Sequence, residues 1–136
     1  VQTCALPILK ALKYIVIAGI TYVAATAIST LKRKQPKIHY YKAKRINAKV
    51  YIYDAIKTKS KAAMRLKANG NVFVTSSGYA YDACKAASPI HKVSAMQKHK
   101  KEKDQGKQYY HYHPMLKWSK NKNARKQMHV HCWFLK

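Results

Sequence analysis

Hydrophobic and polar positions divide the chain into segments of different period. Residues 14–30 carry no charge, with 12 apolar residues and five Gly, Ser or Thr in the run of 17. Lys10 and Lys13 precede the run, and Lys32-Arg33-Lys34 follow it. At about 1.5 Å of rise per residue, this is the lower limit for a helix that crosses a bilayer. The basic cluster would hold that end on the cytoplasmic side. The pattern predicts a hydrophobic helix, either in contact with a membrane or packed inside a larger body. Gln35-Pro36 ends it, because proline removes a backbone donor.

Past Pro36 the pattern becomes that of a small mixed domain. Residues 38–46 and 50–54 are rich in Tyr, Ile and Val and predict two strands joined around Asn47. Residues 60–69 predict a short helix, with Ala63, Met64 and Lys67 at helical spacing and Gly70 at the C′ position. Residues 71–75 predict a strand. Ser76 or Ser77 caps a second helix whose Ala80, Ala83, Cys84 and Ala87 follow the i, i+3, i+4, i+7 rule. Ser88-Pro89 closes that helix. Residues 98–107 read as a charged, mobile loop and 117–126 as a basic loop. Residues 109–113 and 128–135 read as strands. The expected fold is α+β: a small antiparallel sheet with two short helices, preceded by a hydrophobic helix.

Charge changes the picture most. The 136 residues hold 28 Lys and Arg against 4 Asp and Glu, a net charge of +24. Residues 37–136 alone carry 23 of those cations and all four acids, leaving +19. A basic tail is poor in aromatics, whereas this chain has 11 Tyr and is 48% hydrophobic, so simple disorder is excluded. The only acids are Asp54, Asp82, Glu102 and Asp104. A two-metal nuclease needs three or four carboxylates in one place and a glycosidase needs a matched pair, so both are disfavoured. The expected partner is a polyanion, RNA above all.

Residues 1–8, Val1-Gln2-Thr3-Cys4-Ala5-Leu6-Pro7-Ile8, back-translate to GTT-CAG-ACG-TGT-GCT-CTT-CCG-ATC, which reads as a short-read sequencing adapter. They are expected to be an artefact and to be set aside like a tag, which makes the chain a metagenomic fragment of a longer protein. Residues 9–36 then form a hydrophobic helix and basic linker, and 37–136 the basic α+β domain. Setting Cys4 aside leaves Cys84 and Cys132, too few to demand a disulfide framework.

The chemistry gathers in two segments, His111-Tyr112-His113 and His129-Val130-His131. In a strand, residues i and i+2 share a face, so each segment presents two imidazoles side by side. If the strands pair, up to four histidines line one wall. Imidazole serves as general base and general acid near neutral pH. Cleavage of RNA through its 2′-hydroxyl needs two such groups and a cation beside the phosphorane, with no metal. The same histidines also match a Zn²⁺ arrangement, with Cys132 as a soft donor, although Cys132 projects from the opposite strand face to His131. A third reading makes them ordinary residues of a basic, aromatic surface. Tyr109, Tyr110 and Tyr112, near Lys107 and Lys117, either stack bases or pack within a sheet. His39, His91 and His99 are isolated and take no role, Cys84 is a small core residue, and Trp133 and Phe134 belong to the core.

The run Tyr109-Tyr110-His111-Tyr112-His113-Pro114, a basic loop, and the terminal His129-Val130-His131-Cys132-Trp133-Phe134 resemble the C-terminal toxin domains of polymorphic toxins secreted by Gram-positive bacteria. Ile38-His39-Tyr40-Tyr41-Lys42-Ala43-Lys44-Arg45 with Val50-Tyr51-Ile52 is similar to their opening hairpin. Ser77-Gly78-Tyr79-Ala80-Tyr81, leading to Ser88-Pro89, is similar to their Ala-rich helix. The resemblance spans about residues 37–136, and a hydrophobic segment ahead of the toxin domain is usual in that architecture. It implies His111, His113 and His129 as site residues, with Tyr112; His131-Cys132 departs from the pattern. The expectation is a secreted effector, acting in a target cell's cytoplasm as a metal-independent ribonuclease without cofactor. His111, His113, His129, His131 and Tyr112 are the expected catalytic set, and Lys107, Lys117, Arg125 and Lys126 the expected nucleic-acid contacts. An acidic immunity protein is expected to cover those same cations. A membrane-active cationic toxin inserting residues 14–30 is the alternative, and a nonenzymatic nucleic-acid binder the third.

Overall fold

A computed structural model describes residues 14–17, 20–46, 49–97 and 109–135. The first strands are β1 (Tyr14–Ile17) and β2 (Ile20–Val23), followed by helix α1 (Ala24–Lys34). Next come β3 (Tyr40–Ile46), β4 (Lys49–Ile56), α2 (Lys59–Lys67), β5 (Asn71–Val74) and α3 (Ser77–Ala87). The last part holds β6 (Tyr109–Tyr112), β7 (Met115–Lys117), a short 3-10 turn at Lys122–Ala124, β8 (Lys126–Gln127) and β9 (Cys132–Leu135). The α+β class is as expected. Among the described residues one seven-stranded sheet runs in the order β2-β1-β4-β3-β5-β9-β6, and β7 and β8 form a separate ribbon.

Two expectations need correction. The uncharged run 14–30 is not one helix: its first part forms the antiparallel pair β1–β2. Tyr, Ile, Val and Thr dominate residues 14–17 and 20–23, and such residues favour strands, whereas the helix starts where alanine takes over at Ala24. Helix α1 extends through Lys32, Arg33 and Lys34, which suit the negative end of its dipole. No helix among the described residues is long and apolar enough to cross a membrane. The sheet is also mixed rather than antiparallel, since β1 pairs parallel to β4 and β5 pairs parallel to β9. The segment before Pro36 thus contributes strands to the same sheet as the rest.

Helices cover both faces. Ala62, Ala63 and Leu66 of α2 and Ala80, Ala83, Cys84 and Ala87 of α3 pack on Tyr40, Val72, Val74, Cys132 and Phe134. On the opposite face Ala27 and Leu31 of α1 share a cluster with Tyr41, Ala43, Val50, Ile52, Phe73, Trp133 and Leu135. The strict alternation Cys132 and Phe134 against Trp133 and Leu135 is the period-two signature of a strand buried on both sides.

The helix ends follow local chemistry. Thr58 caps α2 by accepting from the Lys61 N–H, and Ser76 caps α3 by accepting from the Tyr79 N–H. At the C-terminus of α2 the left-handed residue is Asn69 (φ 67°), not Gly70. The Asn69 N–H donates to Leu66 O and the Gly70 N–H to Arg65 O, the paired bonds of a Schellman motif. Gly70 leaves room for a neighbour: a Cβ there would lie 2.8 Å from the Arg65 side chain, which would have to shift. That side chain crosses it to reach Asn71 O at 2.9 Å and the Tyr53 hydroxyl at 2.6 Å.

The apolar stripe of α2 is rotated from the expected one. Leu66 is fully buried, whereas Met64 is 67% exposed. Leu66→Ala is expected to lower the unfolding free energy by about 3 kcal/mol through lost burial and a cavity, and Met64→Ala to change it by less than about 0.5 kcal/mol. Urea denaturation of both variants measures this, and equal losses would refute the packing described.

Candidate functional site

The strand of the first histidine segment pairs with the terminal strand, but residues 129–131 precede that ladder and are not part of it. Strand β6 runs antiparallel to β9, with Tyr110 opposite Phe134, His111 opposite Trp133 and Tyr112 opposite Cys132. Alternation sends Tyr110 and Tyr112 toward the α2–α3 face, where both rings stack on Phe134. His111 and His113 therefore share the other face with Trp133. His131 joins them from the loop before β9, its ring stacked on Trp133 at 5.0 Å and 14°.

The result is a three-histidine cluster. Ring centroids lie 4.8 Å apart for His111–His113, 4.7 Å for His111–His131 and 4.7 Å for His113–His131. One ring nitrogen from each lies within 4.8 Å of the others. His111 and His113 are each 5% exposed, and His131 is half-buried, so the cluster meets solvent through His131. Each member is held by its own device. The His111 N–H donates to Gln97 O and the Gln97 N–H donates back to His111 O, which fixes the strand from its far edge. The His113 Nδ1 lies 2.8 Å from Val130 O, and the His113 N–H donates to Ser94 Oγ. The His131 N–H donates to Asn71 Oδ1 at 2.7 Å.

These bonds also explain why the last strand is shorter than expected. Residues 128–131 lie outside β9. The Val130 carbonyl and the His131 N–H are engaged by side chains and so are withdrawn from a ladder. His129 is exposed and is not one of the three converging rings, which removes it from the expected wall of four. Tyr112 points to the opposite face, beside Tyr81, and burial pushes its hydroxyl above the ordinary tyrosine range, followed by the influence of Tyr81, Cys84 and Cys132. It does not reach the histidines. Cys132 is fully buried on that same opposite face, and burial and its contact with Cys84 push its thiol well up. It is a core residue and no partner for His131.

The basic residues converge on the ribbon that joins the two histidine segments. Lys117 on β7 faces Lys126 on β8. The Arg125 guanidinium carbon lies 3.6 Å from the Trp118 ring centroid, and Lys92 Nζ lies 5.0 Å from it. Three of the four expected cations are thus neighbours; Lys107, with the charged loop 98–107, lies outside the described residues, as do residues 1–8. A pocket of about 310 Å³ opens beside them, lined by Ser94, Gln97, Met115, Trp118, Lys122 and Arg125 among others. Trp118 is the residue that sequence reasoning missed. An aromatic inside a basic stretch predicted as loop was its signal, since a large ring there has no core to join and is 42% exposed.

Comparison with protein-family models, with curated proteins and with solved structures finds no match to the chain.

Burial holds His113 below the ordinary imidazole range of about 6.5, backbone bonds to Val130 and Met128 oppose this, and nearby His129 adds to it. An imidazole held neutral by folding takes up its proton more readily when unfolded. Stability is then full above about pH 6.5 and falls as the pH drops below it. Urea unfolding in EDTA at pH 7.5 and 5.5 is expected to show this loss, with a shallower loss for His113→Gln; identical slopes for both proteins would contradict it.

Proposed function

We propose that this chain is the effector end of a secreted bacterial toxin that binds and cleaves RNA in the cytoplasm of a target cell. The observation that carries this reading is continuity between chemistry and charge. The β7–β8 ribbon leaves directly from His113 through Pro114 and returns through Met128 to His131. A phosphate backbone held on Lys117, Lys126 and Arg125 would therefore run beside the three histidines. A guanidinium plane lying on an indole keeps its second face for a base or a phosphate. The net charge of +24 supplies the long-range attraction.

Three imidazoles in ring contact do not all carry protons near neutral pH, because like charges at that separation repel. The cluster thus sets imidazoles side by side, so that one can give a proton where another takes one. Half-exposed His131 is the member that reaches substrate. An acidic immunity protein from the producer cell would compete for the same cations.

The test separates binding from cleavage. His131→Ala is expected to lower RNA cleavage by about 10²–10⁴ while leaving RNA affinity nearly unchanged. Trp118→Ala and Arg125→Ala are expected to weaken binding by about 1–3 kcal/mol each, and binding of the unaltered chain should fall steeply with salt. RNA left intact by the full chain, in chelated and in zinc-supplemented buffer alike, would remove the nuclease reading.

A further inference from the structure

We propose that His111, His113 and His131 form a binding site for one divalent transition-metal ion, with zinc the best match, and that a fourth position stays open on the His131 side. The sequence expectation was a metal-free cluster; the arrangement of the rings points elsewhere.

The three rings contact one another edge-on or tilted, at 88°, 70° and 55°. The ligating nitrogens lie within 4.8 Å of one another. A tetrahedral ion with nitrogen ligands at about 2.1 Å sets them roughly 3.4 Å apart. The widest pair must close by about 1.4 Å, which small rotations of the rings about their own axes can supply.

Donor chemistry selects the ion. All three ligands are imidazole nitrogens, which suit zinc and neighbouring transition metals and not calcium or magnesium. The tautomer of one ligand follows from its partner. The Val130 carbonyl only accepts, so His113 carries its proton on Nδ1 and leaves the Nε2 lone pair for the ion. A ligand histidine bonded through its other nitrogen to a backbone carbonyl is the usual outer support of a metal site. The Asn71–His131 and Gln97–His111 backbone bonds, with the Trp133 stack, hold the other two in place.

Three protein ligands and an open position describe a zinc site that binds water or substrate, not a closed structural one. The proposal deepens the RNA-cleaving reading in one respect, since that position would take a phosphate oxygen or a water beside it. Metal binding itself does not depend on that reading.

Full-length chain, stripped with chelator and dialysed, is titrated with Zn²⁺ by calorimetry, and Co²⁺ is added separately to read coordination from its absorption spectrum. One zinc per chain with a dissociation constant below about 1 μM, and a tetrahedral cobalt spectrum, are expected. His131→Gln and His113→Gln should each weaken zinc at least tenfold, and His129→Gln should not. Circular dichroism checks the fold of each variant; should the buried variant unfold, solvent-facing His131→Gln decides. Less than one-fifth of an equivalent bound, or equal loss in His129→Gln and His131→Gln, would overturn the site. Zinc bound without RNA cleavage keeps the site and removes the nuclease reading. Undiminished cleavage in chelator with no zinc bound does the reverse.

Discussion

Strand β9 is buried along its whole described length, with Cys132, Trp133 and Phe134 fully out of water and Leu135 nearly so. A strand in that position must satisfy its backbone on two edges and its side chains on two faces. It does so by pairing parallel with β5 and antiparallel with β6 while alternating its side chains between two cores. The remaining geometry follows from this seat. Phe134 sets the floor on which Tyr110 and Tyr112 stack. Trp133 sets the floor for His131 and fixes which face of β6 carries histidine. A one-residue slip between β6 and β9 would exchange tyrosines for imidazoles on the α2–α3 face.

The cationic surface and the histidine cluster place opposite demands on the fold. Positive charge spread over the surface repels itself and opposes compaction, which a polyanion relieves. The cluster instead is largely out of water, with His111 and His113 buried and His131 half-buried. The two meet at the β7–β8 ribbon, where Arg125 spreads its charge over Trp118 and Ser119 O. Asp54 lies 3.8 Å from Lys42, far along the chain from that ribbon. Polar order near the site is supplied by backbone and amide groups in place of carboxylates.

Where local chemistry decides structure, the amino-acid sequence was readable. Ser76, the alanine spacing of α3 and Ser88-Pro89 bound that helix, and the Tyr- and Val-rich runs mark β3 and β4. The i, i+2 spacing of His111 and His113 placed them on one face, and the opposite projection of Cys132 was equally legible. Tertiary effects hid the rest. An uncharged run of 17 residues has the length of a helix, and its strand-favouring first half is held extended by pairing within the run and with the parallel neighbour β4. His129 fell out of the expected wall because a side chain from residue 113 and another from residue 71 claim the backbone around it. Trp118 was passed over because a basic stretch reads as solvent-facing loop, although cation–π contacts give it order.

The seat of β9 has a consequence for how the chain reaches this state. Among the described elements it is the last to be synthesised, yet β6 pairs in the sheet with β9 alone. Until β9 is available, β5 keeps an open edge and both helical layers lack the rings of Trp133 and Phe134. Such a topology makes sheet closure a late folding step, because its decisive contacts are non-local. His131 is brought to His111 and His113 in that same late step, from 18 residues further along the chain than His113. Assembly of the cluster is thereby coupled to completion of the sheet.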